Sequence, residues 1–424
     1  MTDPTPTDPT RRGIAPDPAA GTAAGRTRST EASGAPTDPN SAAAPDPASS
    51  APTPAGTPTA GPTPAAAPGG IAPTPAGPAP TPAGTPAAGP APAPAAAGAP
   101  DRPSTPGATD DAALREALHR VRQQVGQAVV GQDGAITGLL IALLAGGHVL
   151  LEGVPGVAKT LLVRAFSKAL GLDTKRVQFT PDLMPGDVSG SLIYDARTAE
   201  FEFREGPIFT NIVLADEINR TPPKTQAALL EAMEEHQVTA DGVTRELPDP
   251  FLVAATQNPI EHEGTYPLPE AQLDRFLLKL IVSVPERDAE LQVLRRHAEG
   301  FDPHVLREVH PVADAAQLRA ARQAAASVAV TDEVLGYLVD LARATRQSPS
   351  VQLGVSPRAA TALLAAAKAW AWLGGYPAIT PDHVQTMLVP TWRHRIRLRP
   401  DAMLEGVSVD AVLTSVLQQT RVPI

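Results

Sequence analysis

The sequence predicts an α/β fold: a parallel sheet of about five strands with helices on both faces, an αβα sandwich. A small all-helical unit follows it, and a long segment unable to build a core precedes it. Three observations lead there. Short apolar runs alternate with helix-period segments between Val149 and Val282, the pitch of parallel strands joined by helical crossovers. A Gly/Pro loop, Gly153 to Ala158, stands between the first apolar run and the helix opened by Lys159-Thr160. The composition changes abruptly near residue 108.

Residues 1–108 contain no Leu, Val, Phe, Tyr, Trp or Lys and hold 27 of the 48 prolines in the chain. So few apolar side chains cannot offset the entropy of ordering, so a disordered, locally extended Pro/Ala/Gly/Thr-rich tail is expected. It reads as a tether or spacer, either passive or a docking arm, and its PAPAP-like runs match ligands of proline-binding grooves only weakly. The rest carries every aromatic residue and is long enough for a substantial core. It divides at 109–285 for the α/β core and 286–424 for the helical unit. The net charge is −10, of which the tail, with seven acids and five bases, holds little. An acidic folded part argues against non-specific nucleic-acid binding, though not against a local basic patch. The lack of cysteine removes disulfides and thiolate metal sites and agrees with a reducing compartment. No apolar leader and no bilayer-length apolar run is seen, so a cytoplasmic protein without membrane insertion is expected.

In chain order, Leu114, Leu118, Val121 and Val125 recur at helical spacing within 111–126. The turn Val129 to Gly134 leads to an apolar helix, Ala135 to Leu144, and then to the strand Val149 to Leu151. The helix after the loop runs to about Leu170 and stops at Gly171. A strand follows at Arg176 to Thr180. The insert 181–207 contains two pieces, 191–194 and 200–204, able to pair as a hairpin. The sheet resumes with the buried run Ile212 to Ala215 and, after a helix at 222–236, the strand Phe251 to Thr256. Asp241-Gly242 marks a second hairpin between those two elements. A short helix at 269–276 precedes the last strand, Leu277 to Val282. Beyond Pro285, segments near 286–299, 314–327, 331–346, 357–373 and 380–389 predict a separate small bundle. Ser356 and Pro357 mark one of its helix starts. Trp370 and Trp372 read as packing residues or a binding platform. The basic run around His394, with Arg393, Arg395, Arg397 and Arg399, reads as a solvated or intersubunit face, or an anion site.

The candidate chemistry gathers at strand ends. Strand, loop and helix in the order of 148–162 form a phosphate cradle: loop N–H groups and the positive helix end face an anion. Lys159 would reach the β/γ-phosphates and Thr160 would ligate Mg²⁺. The pattern G-x-x-x-x-G-K-[ST] is met except at Ala158, which replaces the second glycine. A plain strand-to-helix turn that happens to hold a lysine is the alternative. Asp216 and Glu217 end a central strand, where open α/β sheets bind ligands. They suit a metal-holding acid and a general base, or a helix cap. Asn258, ending the neighbouring strand, could orient water at the γ-phosphate or simply turn the chain.

Taken together, GVPGVAKT, FTPDLMPGDVSG, VLADEINR, ATQNPIEHEGTYPLPEAQLDRF and GVSPRA closely resemble the MoxR branch of the AAA+ ATPases. The resemblance covers residues 112–424. It implies an AAA+ P-loop core with an α-helical lid, ATP and Mg²⁺ as cofactors, and nucleotide contacts from Gly153, Val154, Pro155, Gly156, Val157, Ala158, Lys159, Thr160 and Leu161. Ala158 is then an identifying mark, since this branch carries A-K-T. Thr160 and Asp216 become the metal pair, Glu217 the base that polarises water and Asn258 the sensor. Arg275 becomes the arginine finger supplied to a neighbouring subunit and Arg358 the second sensor on the lid; plain surface roles are the alternative for both. Val130, Gly131 and Gln132 would lie against the adenine. The family further implies a ring, commonly hexameric, and chaperone-like work on protein clients, often with partners bearing von Willebrand factor A domains.

A ring-forming ATPase that remodels or activates partner complexes is therefore the leading expectation. A nucleic-acid motor of the AAA+ class and a low-turnover, nucleotide-dependent scaffold are the alternatives. The acidic charge disfavours the first and intact Lys159, Asp216 and Glu217 the second.

Overall fold

The computed structural model describes residues 106–423 except 241, 260–263 and 304. The expected disordered tail lies outside the described residues up to 105, as does Asp241 of the second hairpin. The chain begins with α1 (Pro106–Ala128), which starts ahead of the periodic segment because proline suits the first turn of a helix. Next come α2 (Asp133–Leu144), β1 (Val149–Glu152), α3 (Lys159–Ala169) and β2 (Thr174–Gln178). The insert holds a short α4 (Pro185–Ser189) and a hairpin, β3 (Gly190–Asp195) with β4 (Glu200–Glu205). Then follow β5 (Ile212–Asp216), α5 (Pro223–Glu235), the hairpin β6 (Gln237–Ala240) with β7 (Val243–Glu246), and β8 (Leu252–Gln257). Last in this part are α6 (Glu270–Leu273) and β9 (Leu278–Ile281). The C-terminal part comprises α7 (Arg287–Ala298), α8 (Ala315–Ala326), α9 (Asp332–Gln347), β10 (Val351–Leu353), α10 (Pro357–Leu373), α11 (Pro381–Trp392), β11 (Arg397–Leu398), α12 (Pro400–Leu404) and α13 (Val409–Gln419).

Five strands form the main sheet in the order β2-β5-β8-β1-β9, all parallel. Every residue of β5 is buried, as a strand covered on both faces requires. Its side chains alternate between two hydrophobic clusters. Ile212 and Leu214 join α1, α2, α3 and the C-terminal helices; Val213 and Ala215 join α5 and the second hairpin. The αβα layering and the helical lid of the expected fold are thus present.

The helical unit shares a hydrophobic core with the α/β part. One continuous cluster runs from Val149 and Leu151 of β1 through α2 to Leu318, Leu363, Ala366 and Trp392. The cause lies in α2, where nine of twelve residues are buried. A helix apolar on all sides can pack on the sheet with one face and on other helices with the opposite one. The elements α12, α13 and the antiparallel pair β10–β11 fall outside the expected segments; strands of two or three residues are too short to show a period. Among the described residues, no helix is long and apolar enough to cross a membrane.

Candidate functional site

The loop between β1 and α3 sits at the C-terminal ends of the parallel strands. Gly153 is there because a Cβ would collide with the carbonyl of Val282 after β9. Gly156 has φ +87°, a region side chains rarely adopt. Ala158 holds φ +63° as the residue before α3, so this alanine takes the left-handed geometry that glycine serves in the commoner pattern. Lys159 Nζ donates to the carbonyls of Gly153 and Val154, at 2.5 and 2.9 Å, so the ammonium is folded back over the loop.

The two acids are built into a network. Thr160 Oγ1 donates to Asp216 Oδ2 at 3.1 Å, and Thr256 Oγ1 donates to Asp216 Oδ1 at 2.5 Å. The same Thr256 oxygen accepts the backbone N–H of Glu217 at 2.9 Å. That bond helps fix Glu217 at φ +58°, ψ +49°, a left-handed geometry uncommon for a residue with a side chain. From β2, Arg176 Nη2 and Nε reach Asp216 Oδ2 at 2.7 and 3.0 Å, and Gln178 Nε2 donates to Glu217 Oε2 at 2.8 Å. Arg220 Nε lies 3.0 Å from the same Glu217 oxygen.

Thr160, Arg176, Asp216, Glu217 and Thr256 line one cleft of about 460 Å³, together with Pro155, Lys159, Arg164 and the buried Asn258. A second, more apolar cavity of about 570 Å³ adjoins it, walled by Val129, Val130, Gln132, Val154, Pro285 and Phe301 among others. Pro155 to Ala158 and Leu161 border both. Gln132 is fixed by its side-chain amide, which donates to the Ser283 carbonyl at 2.8 Å. A polar cleft joined to an apolar one of ligand size suits a nucleotide, phosphates in the first and base in the second. Thr160 and Asp216 supply hard oxygen donors side by side, the donor type Mg²⁺ prefers. Two of the residues expected at the nucleotide, Gly131 and Gly153, line neither cavity. Gly131, at φ +76°, packs toward Pro285 and Ala289, where a side chain would be crowded.

Arg275 and Arg358 also line neither cavity. They share one acid instead: Arg275 Nε donates to Glu234 Oε2 at 2.8 Å and Arg358 Nη1 to Glu234 Oε1 at 2.9 Å. The Arg275 bond, then that of Arg358, holds the Glu234 carboxyl below the usual carboxylate range. The basic run nearby is corrected as well, since His394 and Arg395 are buried. Arg395 Nη2 donates to the Asp274 and Phe276 carbonyls at 3.1 and 2.8 Å, and its Nε lies 2.8 Å from Asp274 Oδ1. His394 Nε2 is 2.9 Å from the Phe276 carbonyl. This arginine and histidine therefore grip the turn that bears Arg275, while Arg397 pairs with Glu270 of α6 at 2.8 Å. Trp372 is buried and Trp370 packs at the edge of the core, in keeping with the packing role.

The sequence reading passes over Arg176, Gln178, Thr256 and Glu234. The one available signal was Thr256, a hydroxyl inside an otherwise apolar buried strand. The others gain meaning only through sheet register and tertiary packing, as when Gln178 falls beside Asp216 in the β2–β5 pairing.

A phosphate loop ahead of α3, an acid pair at the end of β5 in the same sheet and a helical unit sharing its core define a nucleotide-binding protein of the AAA type. Family models agree: residues 148–278 match the ATPase family associated with various cellular activities, and residues 343–416 match the AAA lid domain. The chain belongs to the MoxR family of AAA+ ATPases. It is 42% identical to the chaperone MoxR1 of Mycobacterium tuberculosis over 326 residues, covering 75% of this chain and 85% of that one. An uncharacterized Bacillus subtilis protein, YeaC, is 49% identical over 316 residues, covering 74% and 98%. The crystal structure of a candidate ATPase from Cytophaga hutchinsonii superposes with a TM-score of 0.70 at 38% identity, covering 75% of this chain and 98% of that one.

Proposed function

We propose that this chain hydrolyses ATP with Mg²⁺ and uses the energy to remodel or activate protein clients as part of a ring, as the chaperone name of its mycobacterial relative suggests. The observation that carries the reading is the linked set Thr160, Asp216, Thr256 and Glu217, two acids oriented by two hydroxyls beneath a phosphate loop. In this reading Lys159 and the loop N–H groups hold the triphosphate, and Glu217 polarises the attacking water. Asn258 orients that water from the end of β8. Thr160 and Asp216 would hold Mg²⁺, which would supply positive charge against the triphosphate. Val130 and Gln132 flank the base.

Arg275 acts on the nucleotide of a neighbouring subunit and Arg358 is the second sensor on the lid; the two share Glu234, outside the two cavities described. Six subunits per ring, a partner with a von Willebrand factor A domain and a cytoplasmic site of action follow from the family reading. Substitution separates the roles. Glu217→Gln is expected to keep nucleotide binding and lose steady-state hydrolysis by about a hundredfold or more, the scale of a lost general base. Lys159→Ala is expected to lose binding itself. Undiminished hydrolysis in Glu217→Gln would remove Glu217 as the base. A pull-down with Glu217→Gln, with and without residues 1–108, addresses the client.

A further inference from the structure

The cation nearest Asp216 is not one the expected machinery uses. Arg176 lies on β2, the edge strand of the sheet, with its side chain about half exposed at 52%. Both Nε and Nη2 of its guanidinium are directed at one oxygen, Oδ2 of Asp216. That is also the oxygen that accepts the Thr160 hydroxyl, and hence the oxygen at which a divalent cation shared by Thr160 and Asp216 would bind. The other carboxylate oxygen is taken by Thr256. Nη2 further donates to Gln178 Oε1 at 2.8 Å, and the opposite end of that amide holds Glu217. Arg176 is thus an ordered counter-charge, oriented by three hydrogen bonds and carried on a flexible stem at the rim of the same cleft as Lys159.

A guanidinium and a divalent cation on one carboxylate oxygen repel each other at short range. Leaving is easy for a half-exposed side chain on an edge strand, where solvent receives the departing guanidinium. We propose that Arg176 is the exchangeable counter-cation of Asp216: it neutralises the carboxylate, gives way to Mg²⁺ and so sets the Mg²⁺ concentration at which nucleotide is held tightly. This rests on reading Thr160 and Asp216 as the metal pair.

The test is equilibrium binding of a fluorescent ATP analogue to the full chain, in EDTA and across a Mg²⁺ titration, with direct Mn²⁺ binding followed by electron paramagnetic resonance. Arg176→Ala is expected to lower the Mg²⁺ midpoint about tenfold, since the competitor is gone. It is also expected to weaken binding in EDTA about tenfold, since Asp216 then faces the phosphates uncompensated; both are the scale of one charge-assisted contact. Arg176→Lys should fall between. Placed in an Asp216→Asn background, Arg176→Ala should change neither quantity. The proposal is overturned if Arg176→Ala leaves midpoint and EDTA affinity unchanged while Asp216→Asn shifts the midpoint. It is equally overturned if Arg176→Ala acts the same with and without Asp216, because the arginine would then serve the nucleotide directly. If Asp216→Asn itself leaves the midpoint in place, the failure belongs to the metal assignment. An exposed edge-strand position lets the variants fold, and far-ultraviolet circular dichroism checks that they do.

Discussion

Arg275 donates from Nε to Glu234 at 2.8 Å, across from α6 to the last turn of α5. With Arg358 on the other carboxylate oxygen, both guanidinium groups are fixed at one point outside the phosphate cleft. The role proposed for an arginine so placed is on the nucleotide of a neighbouring subunit. Arg275→Ala is therefore expected to lose nearly all hydrolysis while keeping ATP binding, an arginine finger being worth about 10³–10⁵ in rate. Mixing it with Glu217→Gln, itself inactive, should restore part of the activity, because each subunit then supplies what the other lacks. A mixture as silent as its components would remove the trans assignment.

Thr256 is the hinge of the acid pair, donating to Asp216 and accepting from the Glu217 N–H. Thr256→Val keeps the shape, removes both bonds and takes the buried hydroxyl partner from Asp216, which costs about 1–3 kcal/mol. Expected are a lower thermal midpoint and a fall in kcat greater than the change in ATP affinity. Thr256→Ser should restore most of both. Equal loss in the serine variant would mean that the methyl group, and not the hydroxyl, is what the site needs.

His148, the residue before β1, is wholly buried. Val253 donates its N–H to Nδ1 at 3.0 Å, so the ring carries its proton on Nε2 and donates it to the Met233 carbonyl at 2.9 Å. Burial first, and the nearby His236 and Arg322 charges after it, pull the imidazole from 6.5 down to about 4. Below pH 6.5 the unfolded chain takes up a proton here that the folded chain refuses, so stability falls as pH drops from 6.5 toward 4. The loss approaches roughly 3 kcal/mol at the acid end. Urea midpoints measured from pH 7.5 to 4.5 should fall more steeply for the native chain than for His148→Gln; parallel profiles would show that this histidine is not the source.

The parts legible in the sequence are those whose chemistry is local. Gly153 to Thr160 had to be a loop feeding a helix, and Asp216-Glu217 had to end a strand, because the apolar runs around them fix their place in a parallel sheet. Ala158 even announced its irregularity, and the structure shows it in a glycine's conformation. What stayed hidden depends on residues far apart in the chain. Arg395 reads as surface because arginine usually is; its burial becomes tolerable only where Asp274, 121 positions earlier, and two backbone carbonyls meet its charge. Glu234 gains its role only where Arg275 and Arg358, 41 and 124 positions away, meet its carboxylate. Arg176 likewise gains its partner only from the register between β2 and β5.

The continuity of the core through α2 has a mechanical meaning. A unit joined by a bare linker swings as a flap and transmits nothing. Here α8 and α10 interlock with a helix whose other side is seated on the sheet and whose N-terminal boundary residue, Gln132, forms a wall of the apolar cavity. The C-terminal helices are therefore packed on the sheet through α2, whose boundary residue Gln132 stands at the wall of the apolar cavity.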